Sequence, residues 1–217
     1  MIVPAALGVE DVRRLDECLA DGGVAVFPAD TVYGLCCDPE NESAVRRLYA
    51  LKGRPAERPA AVMFFAPAPL FAMLPDLGGR ERAALGALLP GPVTLLLGNP
   101  ARRFPLAGGP GEGGADTLGV RVPAWSPRLI ALAAVGTPVL QSSANRSGEP
   151  DARRLRDVPA SIRSGADLVL DGGELPGVPS TVLDLREYEQ RREWRIVREG
   201  PLTRADLERV LERAPAS

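Results

Sequence analysis

The run Val24-Ala25-Val26-Phe27 constrains this chain more than any other stretch, because Gly22-Gly23 precede it and Pro28 cuts it off. An apolar run between a glycine break and a proline reads as a short strand covered on both faces, since Pro28 removes the amide donor needed to extend the ladder. Strands buried on both sides belong to α/β sheets, where ligands sit at strand ends. The run leads into Ala29-Asp30-Thr31-Val32-Tyr33-Gly34-Leu35. Asp30 and Thr31 can bond their own backbone in a tight turn, and Gly34 permits a close or left-handed backbone. Two readings follow: the turn delivers Thr31 and Tyr33 to a cleft, or it is an ordinary strand-to-helix connection.

Patterning elsewhere predicts helices at 10–20, 41–51, 69–74, 80–89, 127–135 and 153–163, with a last helix opened by Thr203 and Asp206 as a capping box. Further strands are predicted at 60–65, 93–97, 118–122, 138–142, 168–170, 181–185 and 194–197. Residues 99–116 are rich in glycine and proline and read as a mobile loop that closes over a ligand. Their Gly-x-Gly-x-x-Gly match at Gly109, Gly111 and Gly114 has no strand before it and no helix after it, so it reads as chance.

A length of 217 residues with 45% hydrophobic content suits one α/β domain spanning 1–217. No apolar run reaches the roughly 18 residues that span a bilayer, and no export leader is visible, so a cytoplasmic protein with no membrane partner is expected. Cys36 and Cys37 are adjacent and the three cysteines are odd in number, which suggests neither a disulfide framework nor a zinc site. The chain contains no histidine, so Ser-His and Cys-His nucleophilic schemes are excluded. A net charge of −2 argues against bulk electrostatic coating of nucleic acid.

Of the 26 basic residues only Lys52 is lysine. Either it survived a drift toward arginine, or this site needs a compact ammonium that a guanidinium cannot replace. Lys52 and Arg54 fall just past a predicted helix end, so Lys52 is expected to be exposed and its replacement to leave stability within about 0.5 kcal/mol. With no Walker loop, the available phosphate cradle is Lys52, Arg54, Ser143 and Asn145. Arg121 is a charge inside an apolar strand, which requires a partner carboxylate from the protein or from a ligand. A structural partner is the commoner outcome, and the same holds for Arg198.

Six segments occur in order: 28–35 (PADTVYGL), 52–55 (KGRP), 90–94 (PGPVT), 119–123 (GVRVP), 143–148 (SANRSG) and 179–182 (PSTV). Together they resemble the YrdC-like family of threonylcarbamoyl-AMP synthases, over about residues 10–200. The resemblance implies a twisted, open mixed α/β sheet with flanking helices and a large, positively charged concave site. It also implies synthesis of L-threonylcarbamoyl-AMP from L-threonine, bicarbonate and ATP, with pyrophosphate released, for the t6A modification of tRNAs that read ANN codons. Longer relatives carry a C-terminal domain, and none is expected here.

Carried over by resemblance, Lys52 and Arg54 are the catalytic cations. They bind ATP together with Ser143 and Asn145, with Arg58, Thr117, Asp151 and Arg198 on the nucleotide side. Thr31, Tyr33, Arg121, Gln141 and Ser180 take threonine or its carbamate. Many members have asparagine at Arg58 and histidine at Met63, departures that bear on the threonine pocket. The resemblance implies Mg2+ accompanying ATP, no metal held by protein side chains, no tightly bound organic cofactor, downstream tRNA threonylcarbamoyl transferase machinery, and tRNA or double-stranded RNA as candidate partners. Two rival readings are a carbamoyl-adenylate enzyme and a non-catalytic RNA-binding or ribosome-assembly protein.

Overall fold

Helix α1 (Val9–Ala20) buries Val12, Leu15 and Leu19 on one face, and the Asp11 carboxylate accepts the Gly8 amide at 2.9 Å. The chain leaves it through Gly22 at φ +72°, a left-handed backbone that glycine adopts without Cβ strain. β1 (Ala25–Pro28) is buried along its whole length and stops at the proline. The computed structural model describes residues 6–53, 59–108 and 116–213, and here it departs from a strand-to-helix connection. Residues 29–32 turn tightly, with Ala29 N–H donating to the Val32 carbonyl at 3.3 Å, and enter β2 (Tyr33–Cys37), antiparallel to β1. β2 is buried on both faces, so no alternation marks it, and its Gly34 is a poor strand former. Gly34 is nonetheless required by close approach: a Cβ there would stand 2.8 Å from the Gln141 amide nitrogen.

Helix α2 (Glu42–Lys52) starts at Asn41, whose side chain accepts the Ala44 N–H at 3.1 Å, and ends at Gly53 with φ +59°. The chain continues through β3 (Ala61–Met63), α3 (Pro67–Met73), α4 (Gly79–Leu88), β4 (Val93–Gly98), β5 (Thr117–Arg121) and β6 (Val139–Ser143). Then follow α5 (Ala160–Gly165), β7 (Leu168–Val169), β8 (Thr181–Asp184), α6 (Tyr188–Arg191), β9 (Arg195–Arg198) and α7 (Arg204–Arg213). Among the described residues these nine strands form one open mixed sheet in the order β7, β1, β2, β6, β3, β5, β4, β8, β9. β3 runs parallel to β5 and β4 parallel to β8, while β6, β3 and β4, β5 pair antiparallel. The α/β fold with an open mixed sheet and flanking helices is the one the sequence led us to expect. No described helix is long and apolar enough to cross a membrane.

Three segments differ from their sequence patterns. Residues 127–135 form a 3-10 helix at Ile130–Ala134, because the buried residues Leu129, Leu132 and Val135 recur every three positions, the spacing that eclipses on a 3-10 helix. The expected helix over 153–163 divides into a 3-10 turn at Leu155–Asp157 and α5, with Pro159 at the break. The described flanks of the loop at 99–116 are anchored rather than loose. The Asn99 side chain exchanges hydrogen bonds with the Arg103 backbone at 2.9 and 3.0 Å, Phe104 is buried, and Asn99 N–H donates to the Asp116 carbonyl at 2.8 Å. The glycine match at 109–114 lies outside the described residues.

Candidate active site

The central strands sort their residues by period two. Val62, Leu95, Leu97, Leu118, Val120 and Leu183 are buried in the core. The interleaved set, Ala61, Thr94, Leu96, Thr117, Gly119, Arg121 and Val182, lines a cavity of about 320 Å³ on the open side of the sheet. Thr31 enters it from the turn after β1, Gln141 and Ser143 from β6, and Ser180 and Arg198 from around β8 and β9.

One corner of the cavity is built on Arg121, which is 3% exposed. Its NH2 donates to the Asp30 carboxylate in an ion pair, and its NH1 reaches Gln141 Oε1 at a long 3.4 Å. The second Asp30 oxygen accepts the Ala124 N–H at 3.2 Å. Burial raises the Asp30 carboxyl and the Arg121 charge lowers it, with burial the larger effect. Burial likewise lowers the Arg121 guanidinium, against the pull of Asp30. Arg121 Nε is buried with no hydrogen-bond partner, and the equally buried Thr31 hydroxyl bears on the Asp30 carboxyl, helping to lower it. A buried polar atom left unpaired costs about 1–3 kcal/mol, so this corner is half-satisfied.

Beside it runs a chain of hydroxyls. Thr94 Oγ1 and Ser180 Oγ lie 2.9 Å apart, and Arg198 NH2 donates to Ser180 Oγ at 3.2 Å and to the Ser180 carbonyl at 2.7 Å. Burial lowers the Arg198 guanidinium, and Asp151 partly restores it. The glycine at 200 lets this corner close, since a Cβ there would meet the Thr181 amide at 2.3 Å.

Lys52 contradicts its expected exposure. It is the last residue of α2, 4% exposed, and its ammonium donates to the Ser143 carbonyl at 2.6 Å, Ser143 Oγ at 3.1 Å, the Asn145 carbonyl at 3.1 Å and Asn145 Oδ1 at 2.6 Å. The physical reason is positional: Lys52 continues the buried stripe of Val45, Leu48 and Tyr49, and the strand end at Ser143 supplies the acceptors that a buried charge needs.

Of the residues singled out in the sequence, the cavity gathers Thr31, Thr117, Arg121, Gln141, Ser143, Ser180 and Arg198. Lys52 and Asn145 lie behind Ser143 rather than on the cavity surface. Tyr33 is placed elsewhere. It is fully buried, and its hydroxyl meets Asp171 Oδ1 at 2.9 Å, the Gly173 carbonyl at 2.8 Å and the Gly172 N–H at 3.1 Å. Asp151 does not line the cavity and bears on it only through Arg198. Arg54 and Arg58 lie outside the described residues. Met63 is buried in β3. Sequence reasoning gave no site role to Asp30 or Thr94, although both stand inside the segments it singled out.

A larger open depression of about 820 Å³ is lined by Asp184, Arg186, Trp194, Arg195, Arg204 and Glu208, among others. Over half of its charged side chains are paired within it, Asp184 with Arg186 and Arg195, and Arg204 with Glu208. It therefore offers less to a ligand than the half-satisfied Arg121 corner. Among the described residues no group of three or more acidic or cysteine side chains converges to hold a metal ion. What the cavity offers is hydroxyls, one amide and guanidinium groups, a set that orients anionic substrates and neutralises developing charge.

Comparison with known proteins identifies the family. The Sua5, YciO and YrdC family model, described as telomere recombination, matches residues 17–200. A threonylcarbamoyl-AMP synthase of Pyrococcus abyssi is 30% identical over 201 residues, 92% of this chain, and the chain spans 57% of that relative's length. The synthase of Chromohalobacter salexigens is 36% identical over 188 residues, 84% of this chain and 98% of the relative. Among solved structures, P. abyssi Sua5 complexed with L-threonine superposes with a TM-score of 0.80 at 29% identity, covering 94% of this chain and 58% of that one. Escherichia coli YciO gives 0.71 at 25% identity, covering 92% and 94%. With the family model matched over residues 17–200 and a relative 36% identical over 84% of the chain, the chain belongs to the Sua5/YciO/YrdC family.

Proposed function

We propose that this chain is a threonylcarbamoyl-AMP synthase, a nucleotidyltransferase that makes L-threonylcarbamoyl-AMP from L-threonine, bicarbonate and ATP. The threonine amine and bicarbonate first give a carbamate, with loss of water. A carbamate oxygen then attacks the α-phosphorus of ATP, the new P–O bond forms as the bond to pyrophosphate breaks, and pyrophosphate leaves. The step calls for alignment and charge neutralisation rather than a protein nucleophile, which a chain without histidine can supply.

The half-satisfied corner at Arg121 and Thr31 carries this reading, because a buried guanidinium with a nitrogen left unpaired, beside a threonine that lines the same cavity, suits a carboxylate-bearing, hydroxylated amino acid. Gln141 and Ser180 extend the corner toward the carbamate. Ser143, held by Lys52 and Asn145, marks the phosphate side, with Thr117 and Arg198 toward the nucleotide. Mg2+ enters as the ATP complex, held by phosphate oxygens and water. In this reading the enzyme is cytoplasmic and hands its product to a tRNA threonylcarbamoyl transferase, with tRNA as the eventual acceptor.

The test is purified protein with ATP, bicarbonate and labelled threonine, followed by pyrophosphate release and mass spectrometry of the adenylate. Pyrophosphate release that needs both threonine and bicarbonate is the expected result. Threonine-independent turnover with carbamoyl phosphate would instead establish a carbamoyl-adenylate enzyme.

A further inference from the structure

Asp30 belongs to the turn between β1 and β2, yet its carboxylate is engaged across the sheet. One oxygen takes the Arg121 NH2 from β5, the other takes the Ala124 N–H just beyond β5 at 3.2 Å, and both side chains of the ion pair are 4% exposed. The carboxylate thereby fixes one edge of the guanidinium and the backbone that follows it. The remainder of the guanidinium is lightly used: NH1 meets Gln141 only at 3.4 Å and Nε meets nothing. Thr31, next in the chain to Asp30, lines the same cavity, and its side chain bears on the Asp30 carboxyl. An ion pair kept for stability alone is completed by further hydrogen bonds on its remaining donors, whereas here Nε is left without one in a residue that lines the cavity.

The geometry points to Asp30 as a positioning residue for the amino-acid substrate. It holds the Arg121 guanidinium in one orientation at the cavity wall so that its remaining donors can meet the amino-acid carboxylate, and it does not touch the substrate itself. The inference rests on the threonine-dependent reading of the site. It also runs against the simplest charge argument. A carboxylate beside a cation weakens that cation's pull on a second carboxylate, so if charge alone mattered, removing Asp30 would tighten threonine binding. If orientation matters, removing it weakens binding, because a planar guanidinium recognises a carboxylate only when its fork is aligned.

Asp30→Asn separates the two. An amide keeps the shape but accepts at only one oxygen, so either Arg121 or the Ala124 N–H loses its partner. The measurement is calorimetric titration of L-threonine into wild type and variant without turnover, alongside KM for threonine and for ATP, kcat and a thermal melt. The expected result is a threonine Kd and KM raised about 10-fold or more, with KM for ATP within about twofold, a split that a general loss of structure does not produce. Asp30→Ser, smaller and uncharged, reads the same quantities should the amide variant melt below the assay temperature. Unchanged or tighter threonine binding overturns the inference, as does a parallel rise of both KM values that follows a lowered melting temperature. A wild-type protein that binds threonine but makes no adenylate overturns the functional reading and leaves the Asp30 comparison standing on binding.

Discussion

Lys52 and Arg121 are both buried cations, 4% and 3% exposed, yet four protein oxygens surround the Lys52 ammonium while Arg121 keeps Nε without a partner. An ammonium has three N–H donors, fewer than the acceptors around it, so the Lys52 cluster is saturated from within. A guanidinium has five, of which Asp30 and Gln141 take part while Nε is left unpaired, in a residue that lines a cavity. Both cations are buried, but neutral oxygens meet Lys52 while a carboxylate meets Arg121, and the donor count separates them further. The Lys52 region is an internally completed scaffold that sets Ser143 and Asn145. The Arg121 region is completed only by something that enters.

The largest effect that could break this contrast is at Arg121. Arg121→Ala removes the ligand-facing donors and strands Asp30 as a buried carboxylate, which costs about 3–5 kcal/mol in stability. Threonine kcat/KM is expected to fall at least about 100-fold in whatever fraction remains folded. Retained threonine affinity by calorimetry, in a folded variant, would show that the unpaired atoms do not receive the substrate.

Lys52→Ala comes next and should fail differently. It leaves the Ser143 and Asn145 carbonyls and Asn145 Oδ1 without their cation, so a loss of about 2–3 kcal/mol is expected, where an exposed lysine would have cost almost nothing. For a domain of this size that is a drop on the order of 5 °C or more in melting temperature. The catalytic defect should fall on ATP, with kcat down on the order of 100-fold as Ser143 drifts, and threonine Kd little changed. Lys52→Arg sharpens the point, because a planar fork cannot satisfy acceptors arranged around a compact ammonium and should recover neither property. Threonine binding that collapsed together with ATP binding would mean that the two clusters are one unit. A smaller effect is expected for Thr94→Val, which removes one partner of the Thr94–Ser180 hydroxyl pair. About 10-fold in threonine KM with kcat nearly intact would fit a wall of the threonine corner.

These contrasts also show which parts of the molecule were legible in the chain. The strand at β1 was readable because a glycine break and a proline bound it, and the stripe on α2 was readable from Asn41 onward. Lys52 was in principle legible too. It lies seven residues after Val45 and four after Leu48, on the buried stripe, while Leu51, which the pattern favoured, is only partly buried. A lysine at a helix end reads as solvent-facing unless its acceptors are known, and these come from 91 and 93 residues away. Asp30 was hidden for the same reason. A short acid in a turn reads as a backbone cap, and its partner Arg121 is brought to it only by the pairing of distant strands. Ser180 was reached through its ordered segment, Thr117 and Gln141 through the resemblance as a whole, and the fold then gathered the three around one cavity.

Tyr33 gives the smallest expected effect and the most direct check on that lesson, since adjacency to Thr31 suggested a ligand contact and the fold turns it away. Its hydroxyl ties the Asp171 to Gly173 backbone to β2, and burial pushes the phenol well above its usual pKa, so it stays protonated as a donor. Tyr33→Phe leaves the Gly172 N–H and the Gly173 carbonyl short of that partner, which costs about 1–3 kcal/mol. The melting temperature should fall by about 2–4 °C for each kcal/mol lost. The segment that leads to Ser180 has a separate tether, Gly177 N–H donating to the Thr31 carbonyl at 2.8 Å, so the threonine corner keeps its shape. Threonine Kd should therefore stay within about twofold of wild type while stability drops. The opposite pattern, an unchanged melt with a 10-fold or larger loss of threonine affinity on the order seen for true contacts, would return Tyr33 to the ligand set and mean that the 171–173 loop opens to release its hydroxyl when substrate binds.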